Sequence, residues 1–271
     1  MTIVKEIADF YNAGKEVGRL FQGLGRMEFA RLQELMQRYL PPAPAVVADV
    51  GGGPGTYACW LATQGYEVHL IDPVPLHVQQ ARQASEQQPS HPMASVEVGD
   101  ARQLTLPDAS VDVVFLHGPM YHLTEKSDRL LALAEARRVL RSDGVLLAVA
   151  ITGYASTLVG VIKGWVWDPA YMGMIREEIS TGQHRCPDNW KLFTTSFFHH
   201  PDQLKSEIEE AGFRHHVTLG IQGPGWMAPD FEAAWKDDAR RQALLQVARL
   251  MEHEPVHSPH MVAVARKPRS E

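Results

Sequence analysis

Residues 45–55 read AVVADVGGGPG, an apolar, β-branched run that ends in Asp49-Val50 and opens into glycines and a proline. A run of this kind is expected for a strand buried on both faces, and TYACWLATQ (56–64) beyond it can form a helix. Glycine permits positive φ and lets a ligand approach the backbone without a Cβ in the way. Ligands of α/β sheets bind beyond the carboxyl ends of the strands, where this loop lies. Three readings of it compete. A phosphate-binding loop needs GxxxxGK[ST], but position 56 is Thr56 and no lysine follows. A dinucleotide loop needs GxGxxG; Gly51 and Gly53 fit, and Thr56 does not. The spacing present is Gly51-x-Gly53-x-Gly55 after Asp49, whose carboxylate would repel a pyrophosphate but suits a ligand carrying an amino group.

Working outward, strand-like and helix-like segments alternate to about residue 151. GYEVHLID (65–72), ASVEVGD (94–100), VDVVFLH (111–117) and GVLLAVAI (144–151) read as further strands. Helices are expected over 74–88 and 127–141, the second capped by Ser127 and closed by Asp143-Gly144. Strands separated by helices of this length imply parallel pairing with right-handed crossovers. Residues 152–200 are rich in Gly and aromatics and interrupt the alternation. A helix over 201–213 and strands over 215–223 and 260–267 follow, with a helix-like insertion at 230–254. Two helices are expected in the first 40 residues, stopped by Pro41 and Pro42.

Acids recur at the strand ends. Asp72, followed by Pro73, can accept two hydrogen bonds from vicinal ribose hydroxyls. Asp100 and the backbone of Ala101 are placed to meet an adenine edge. FLHGPMYHL (115–123) leaves the fourth strand where a catalytic loop would lie.

With these residues in view, the chain resembles the class I S-adenosylmethionine-dependent methyltransferases, in the small-molecule branch that includes ubiquinone-type C-methyltransferases. VADVGGGPG, VHLIDP, VGDARQLTLPDASVDVVFLHGPMYHL and RRVLRSDGVLLAVA carry the resemblance, over about residues 45–151. It implies an α/β, Rossmann-like sheet of seven mostly parallel strands with an antiparallel last strand. A helical cap (1–40) would precede a cofactor-binding domain (41–271) with insertions at about 152–200 and 224–258. S-adenosylmethionine would be the cofactor and S-adenosylhomocysteine the product. Gly51, Gly53 and Gly55 would pass under the methionine and ribose parts. Asp49 would act near the amino group, Asp72 with Pro73 at the ribose, and Asp100 with Ala101 at the adenine. His117 would sit beside the methionine moiety, and Tyr11, Arg19 or Arg26 would touch the methionine end, where an Arg fork suits a carboxylate.

Methyl transfer mainly requires alignment of nucleophile, methyl and leaving sulfur. Where a base is needed, histidine is the natural choice. His117, Tyr121 and His122 are the catalytic candidates; His117 is read also as cofactor packing and His122 as a residue that bonds its own loop. The 152–175 stretch can form a lid, with Tyr154, Trp165, Trp167, Tyr171, Phe197 and His200 as the candidate acceptor pocket, or as packing of the insertion. A small, partly apolar acceptor methylated at O, N or C follows. Non-methyl chemistry with the same cofactor, such as cyclisation, and a non-catalytic cofactor-binding protein remain alternatives.

Composition narrows the classes. The chain has 271 residues, 45% hydrophobic and 21% charged, with a net charge of −6. No basic run exceeds two residues before RKPR (266–269), which argues against a nucleic-acid partner. His253, His257 and His260 lack metal-site spacing, so no metal is expected. Cys59 and Cys186 lie far apart and indicate no disulfide framework. Neither a signal peptide nor a membrane span is legible, and a cytoplasmic monomer or homodimer is the default.

Overall fold

The computed structural model describes residues 4–14, 16–187, 190 and 192–269. Helix α1 (Lys5–Asn12) and α2 (Gly25–Tyr39) come first. They are followed by β1 (Val46–Val50), α3 (Thr56–Thr63), β2 (Glu67–Asp72), α4 (Pro75–Glu86), β3 (Ser95–Val98) and β4 (Val111–His117). The short α5 (Pro119–His122) and α6 (Lys126–Val139) lead to the long strand β5 (Leu140–Ile151). The insertion holds α7 (Ala155–Lys163), α8 (Pro169–Thr181) and a two-stranded pair, β6 (Gln183–His184) and β7 (Ser196–Phe197). Then come α9 (Pro201–Glu210), β8 (Arg214–Gly220), α10 (Phe231–Lys236), α11 (Asp238–Leu250) and β9 (His260–Arg266).

The sheet order is β3-β2-β1-β4-β5-β9-β8. The first five strands pair in parallel, and β9 runs antiparallel to both β5 and β8. The expected seven-stranded sheet with a reversed last strand is therefore present. Alternate residues of each strand feed opposite layers. Val47, Val113, Phe115, Leu147 and Val264 pack under α2 and α3. Ala48, Val114, Leu116, Leu146 and Ala263 pack under α6 and α9. Within α2, the spacing of Glu28, Leu32, Leu35 and Met36 makes one buried face. This helix thus belongs to the layer on the sheet, while α1 and the turn after it reach over the strand ends.

Two local expectations are corrected. Helix α6 starts at Lys126 behind an extended Glu125, so Ser127 is inside its first turn and caps nothing. The helix ends at Val139, and Asp143-Gly144 is a kink inside β5, with Asp143 at φ 64°. Residues 152–200 contain the helices α7 and α8, whose ends are set by Gly164 after α7, Pro169 in the first turn of α8 and Gly182 after it. Among the described residues no helix is long and apolar enough to cross a membrane.

Candidate cofactor site

At Gly51 the backbone of β1 meets the loop after β4. Gly51 has φ 80°, and a Cβ there would lie 2.6 Å from the His117 carbonyl oxygen. Only glycine allows both the conformation and the approach. Gly53 instead opens outward: the nearest atom to a Cβ would be Glu16 Cγ at 3.9 Å. Between these loops lies a cleft of about 1180 Å³, its open mouth included. Its walls come from α1, the turn after it, the glycine loop, and the ends of β2, β3 and β4.

Asp72 is nearly buried and holds the second wall together. It accepts hydrogen bonds from Gly53 N (2.9 Å) and Val74 N (2.9 Å), and its Oδ1 lies 3.1 Å from His77 Nδ1. Most of its acceptor capacity is thereby taken, which leaves less for ligand hydroxyls than the sequence implied. Asp100 is braced by Arg102, through Nε (2.9 Å), Nη2 (2.6 Å) and the backbone N–H (2.9 Å). Arg102 also bonds Asp128 at 2.7 Å. Its guanidinium holds the Asp100 carboxyl below the usual range despite partial burial.

Asp49 lies beneath the glycine loop rather than in the cleft wall. It is fully buried, and neither oxygen has a hydrogen-bond partner. Burial, with the Asp72 charge adding to it, pushes its carboxyl up to about 8. A Cβ at Gly52 would come within 2.7 Å of Asp49 Oδ2, so the chain between acid and cleft has no room for a side chain.

The opposite end of the cleft is aromatic and polar. Tyr11 on α1 hydrogen-bonds His122 Nε2 at 2.6 Å, and its ring packs edge-on against His77 and His122. Burial pushes His122 down to about 3, so the ring is neutral. Its Nε2 accepts the Tyr11 O–H, because burial keeps that phenol protonated, and Nδ1 is left without a partner. Tyr121 also stays protonated, again through burial. Arg19 lines the cleft between Glu16 (2.6 Å from Nε) and the buried Glu28 (2.9 and 3.2 Å from the two terminal nitrogens).

Of the residues singled out in the sequence, the cleft gathers Tyr11, Arg19, Gly51, Gly53, Asp72, Pro73, Asp100, Ala101, His117, Tyr121 and His122. It does not gather Arg26, which pairs with Glu232, or Gly55, where a Cβ would come within 3.1 Å of Ala81 Cβ on α4. None of the expected acceptor-pocket residues lines it. Trp165 and Tyr171 pack with Trp190 inside the insertion, and Trp167 is 84% exposed. Tyr154 lies edge-on to His200, Phe197 lies under the Arg129 guanidinium, and His200 caps α9. Aromatic side chains in a mixed segment satisfy one another before they face a cavity. Glu16, Glu28, His77, Arg102 and Asp128 were missed: Asp128 and Glu28 meet partners distant in sequence, whereas Glu16, His77 and Arg102 pair with near neighbours that only the folded loops bring to the cleft. For Glu28 a signal exists: it is an acid on the apolar face of a helix.

The sheet order, the reversed β9 and a glycine loop above a buried acid define the class I S-adenosylmethionine-dependent methyltransferase fold. Residues 48–148 match the family described as a methyltransferase domain, and this part of the chain is such a domain, whose cofactor is S-adenosylmethionine. The chain is 30% identical over 128 residues to a ubiquinone/menaquinone biosynthesis C-methyltransferase of Azotobacter vinelandii, covering 45% of this chain and 47% of that one. With the same enzyme of Rubrivivax gelatinosus it is 27% identical over 67% of this chain and 69% of that one. The match therefore spans under half of the Azotobacter protein's length. A solved S-adenosylmethionine-dependent methyltransferase of Methanosarcina mazei superposes with a TM-score of 0.61 at 15% identity, covering 87% of this chain and 98% of that one. The [4+2]-cyclase SpnF superposes with a TM-score of 0.56 at 20% identity, covering 89% and 82%.

The residues present fit this cofactor. A carboxylic acid without partners lies under the loop, and an acid remains at each of the β2 and β3 ends. His77 Nε2 and His122 Nδ1, which have no partner, belong to two residues that line the cleft.

Proposed function

We propose that the protein transfers a methyl group from S-adenosylmethionine to O, N or C of a small molecule. The observation that carries this is the joining of the glycine loop, Asp72, Asp100 and the Tyr11–His122 pair in one cleft within a methyltransferase domain. When bound, the cofactor supplies an electrophilic methyl on a sulfonium centre. Asp72 and Asp100 would hold the ribose and adenine, and the glycine backbone would carry the methionine part. Helix α1, through Val4, Ile7 and Tyr11, would exclude water from one side. Neutral His122 and protonated Tyr121 are weak bases, so these two would orient an acceptor by hydrogen bonds. Alignment, more than proton abstraction, is then the contribution of this chain. His117 stays the candidate for any proton transfer. The acceptor is proposed to be a small molecule and not a nucleic acid, on the strength of the acidic net charge, and the protein is proposed to be a cytoplasmic monomer or homodimer.

The fold likeness to a cyclase keeps a second reading in play, in which the cofactor supports other chemistry. Cofactor carrying an isotope-labelled methyl group, incubated with a broad acceptor panel and followed by mass analysis, separates them. Labelled product with S-adenosylhomocysteine formed in equal amount is expected. Converted acceptor without label would sink methyl transfer.

A further inference from the structure

Behind the cleft, Glu28 is a carboxylate with no part in the proposed chemistry. It is 2% exposed, on the buried face of α2, and residues from three other parts of the fold converge on it. Arg19 takes both of its oxygens, His117 Nε2 at the end of β4 lies 3.5 Å from Oε1, and His260 Nδ1 at the start of β9 lies 3.7 Å from Oε2. Burial alone would raise its carboxyl, but Arg19, His260 and His117 outweigh this and hold it well below the carboxylate range. His260 is itself pushed down to about 4 by burial and is neutral, so Arg19 is the cation that balances Glu28.

A carboxylate buried in this way adds little net stability compared with an apolar packing of the same shape, so holding α2 to the sheet does not account for it. What it does fix is the guanidinium. Arginine on a turn has many rotamers; here Glu16 takes Nε–H and Glu28 takes one N–H from each terminal nitrogen. Each terminal nitrogen keeps one N–H, on a side chain that lines the cleft and is about a third exposed.

We propose that Glu28 is a positioning residue: it sets Arg19 so that the remaining N–H groups meet the carboxylate at the amino-acid end of the cofactor. This rests on the cofactor reading above and goes beyond it by assigning the hub. The fork expected to grip a ligand directly is closed on Glu28, and the ligand would receive single, pre-aimed hydrogen bonds instead.

Calorimetric binding of S-adenosylhomocysteine and of 5′-methylthioadenosine, which lacks the amino-acid end, tests the assignment. Glu28→Gln keeps the shape but cannot balance Arg19. It is expected to weaken S-adenosylhomocysteine about tenfold or more while methylthioadenosine changes by less than about twofold. Arg19→Met should give the same split, and the double variant should add nothing further, since Glu28 acts through Arg19. Should Glu28→Gln not fold, Arg19→Lys, which keeps the charge that balances Glu28 but removes the fork, carries the split alone. Equal weakening of both ligands would reveal a merely structural role, and no weakening of either would likewise overturn the proposal. A wild-type protein that binds neither ligand would remove the cofactor reading and this assignment together; one that binds both equally would remove this assignment alone.

Discussion

Asp49 shows how a side chain can be legible in the sequence while its surroundings are not. The sequence places an acid before the glycines, and an acid there suits a cationic group. Its unpartnered burial was not legible, because that depends on Gly52, Leu70 and the strands around it. With a folded-state carboxyl raised to about 8, Asp49 is protonated in the free protein at neutral pH. The sign follows: its contribution to stability is full below the unfolded value near 4 and is lost as pH rises through about 8. Asp49→Asn cannot ionise, so its melting temperature relative to wild type should climb between pH 5 and pH 9. A difference that stays flat across that range would show that Asp49 is ionised in the fold. Glu28 is the complementary case. Its position on an apolar helical face was visible, whereas Arg19, His117 and His260 come together only through the sheet.

Among the elements, the strands and helices from β1 to α6, apart from the short α5 in what reads as a loop, were legible because each is punctuated by glycine, proline or an acid and has the length of its type. The insertion was not. Its aromatic residues read equally as a lid lining and as the core of a small helical subassembly, and only packing decides between them. Helices α6 and α9 provide another non-local feature. Arg129 on α6 meets Glu207 on α9 at 2.6 and 2.9 Å, and also bonds the carbonyls of Leu123 and Thr124 in the cleft wall. His199 Nε2 lies 3.2 Å from the same carboxylate. All three side chains are almost wholly buried. Glu207→Gln would leave the Arg129 charge without its counterion, and a loss of about 3–5 kcal/mol is expected in urea unfolding. A loss below about 1 kcal/mol would place the pair with ordinary surface ion pairs.

For the whole molecule, the cleft draws on α1, the glycine loop and three strand ends, so a ligand there stabilises the native state as a unit. At about a hundredfold excess over its Kd, S-adenosylmethionine should add about 2.7 kcal/mol. For a chain of this size that corresponds to a rise of roughly 5–10 °C in melting temperature. NAD should give none, since Thr56 stands where a dinucleotide loop carries glycine. A shift with NAD and none with S-adenosylmethionine would overturn the cofactor.

Strand β9 adds a consequence in time. Strand β8 has no neighbour in the sheet except β9, which separates it from β5. During synthesis the glycine loop and its acids are complete long before residue 260 exists, yet β8 has no edge to join and Glu28 lacks its His260 neighbour. The lining of the cleft is thus made early in the chain, and the last support behind Glu28 is added late, when the ribosome supplies the strand between two others that have been waiting for it.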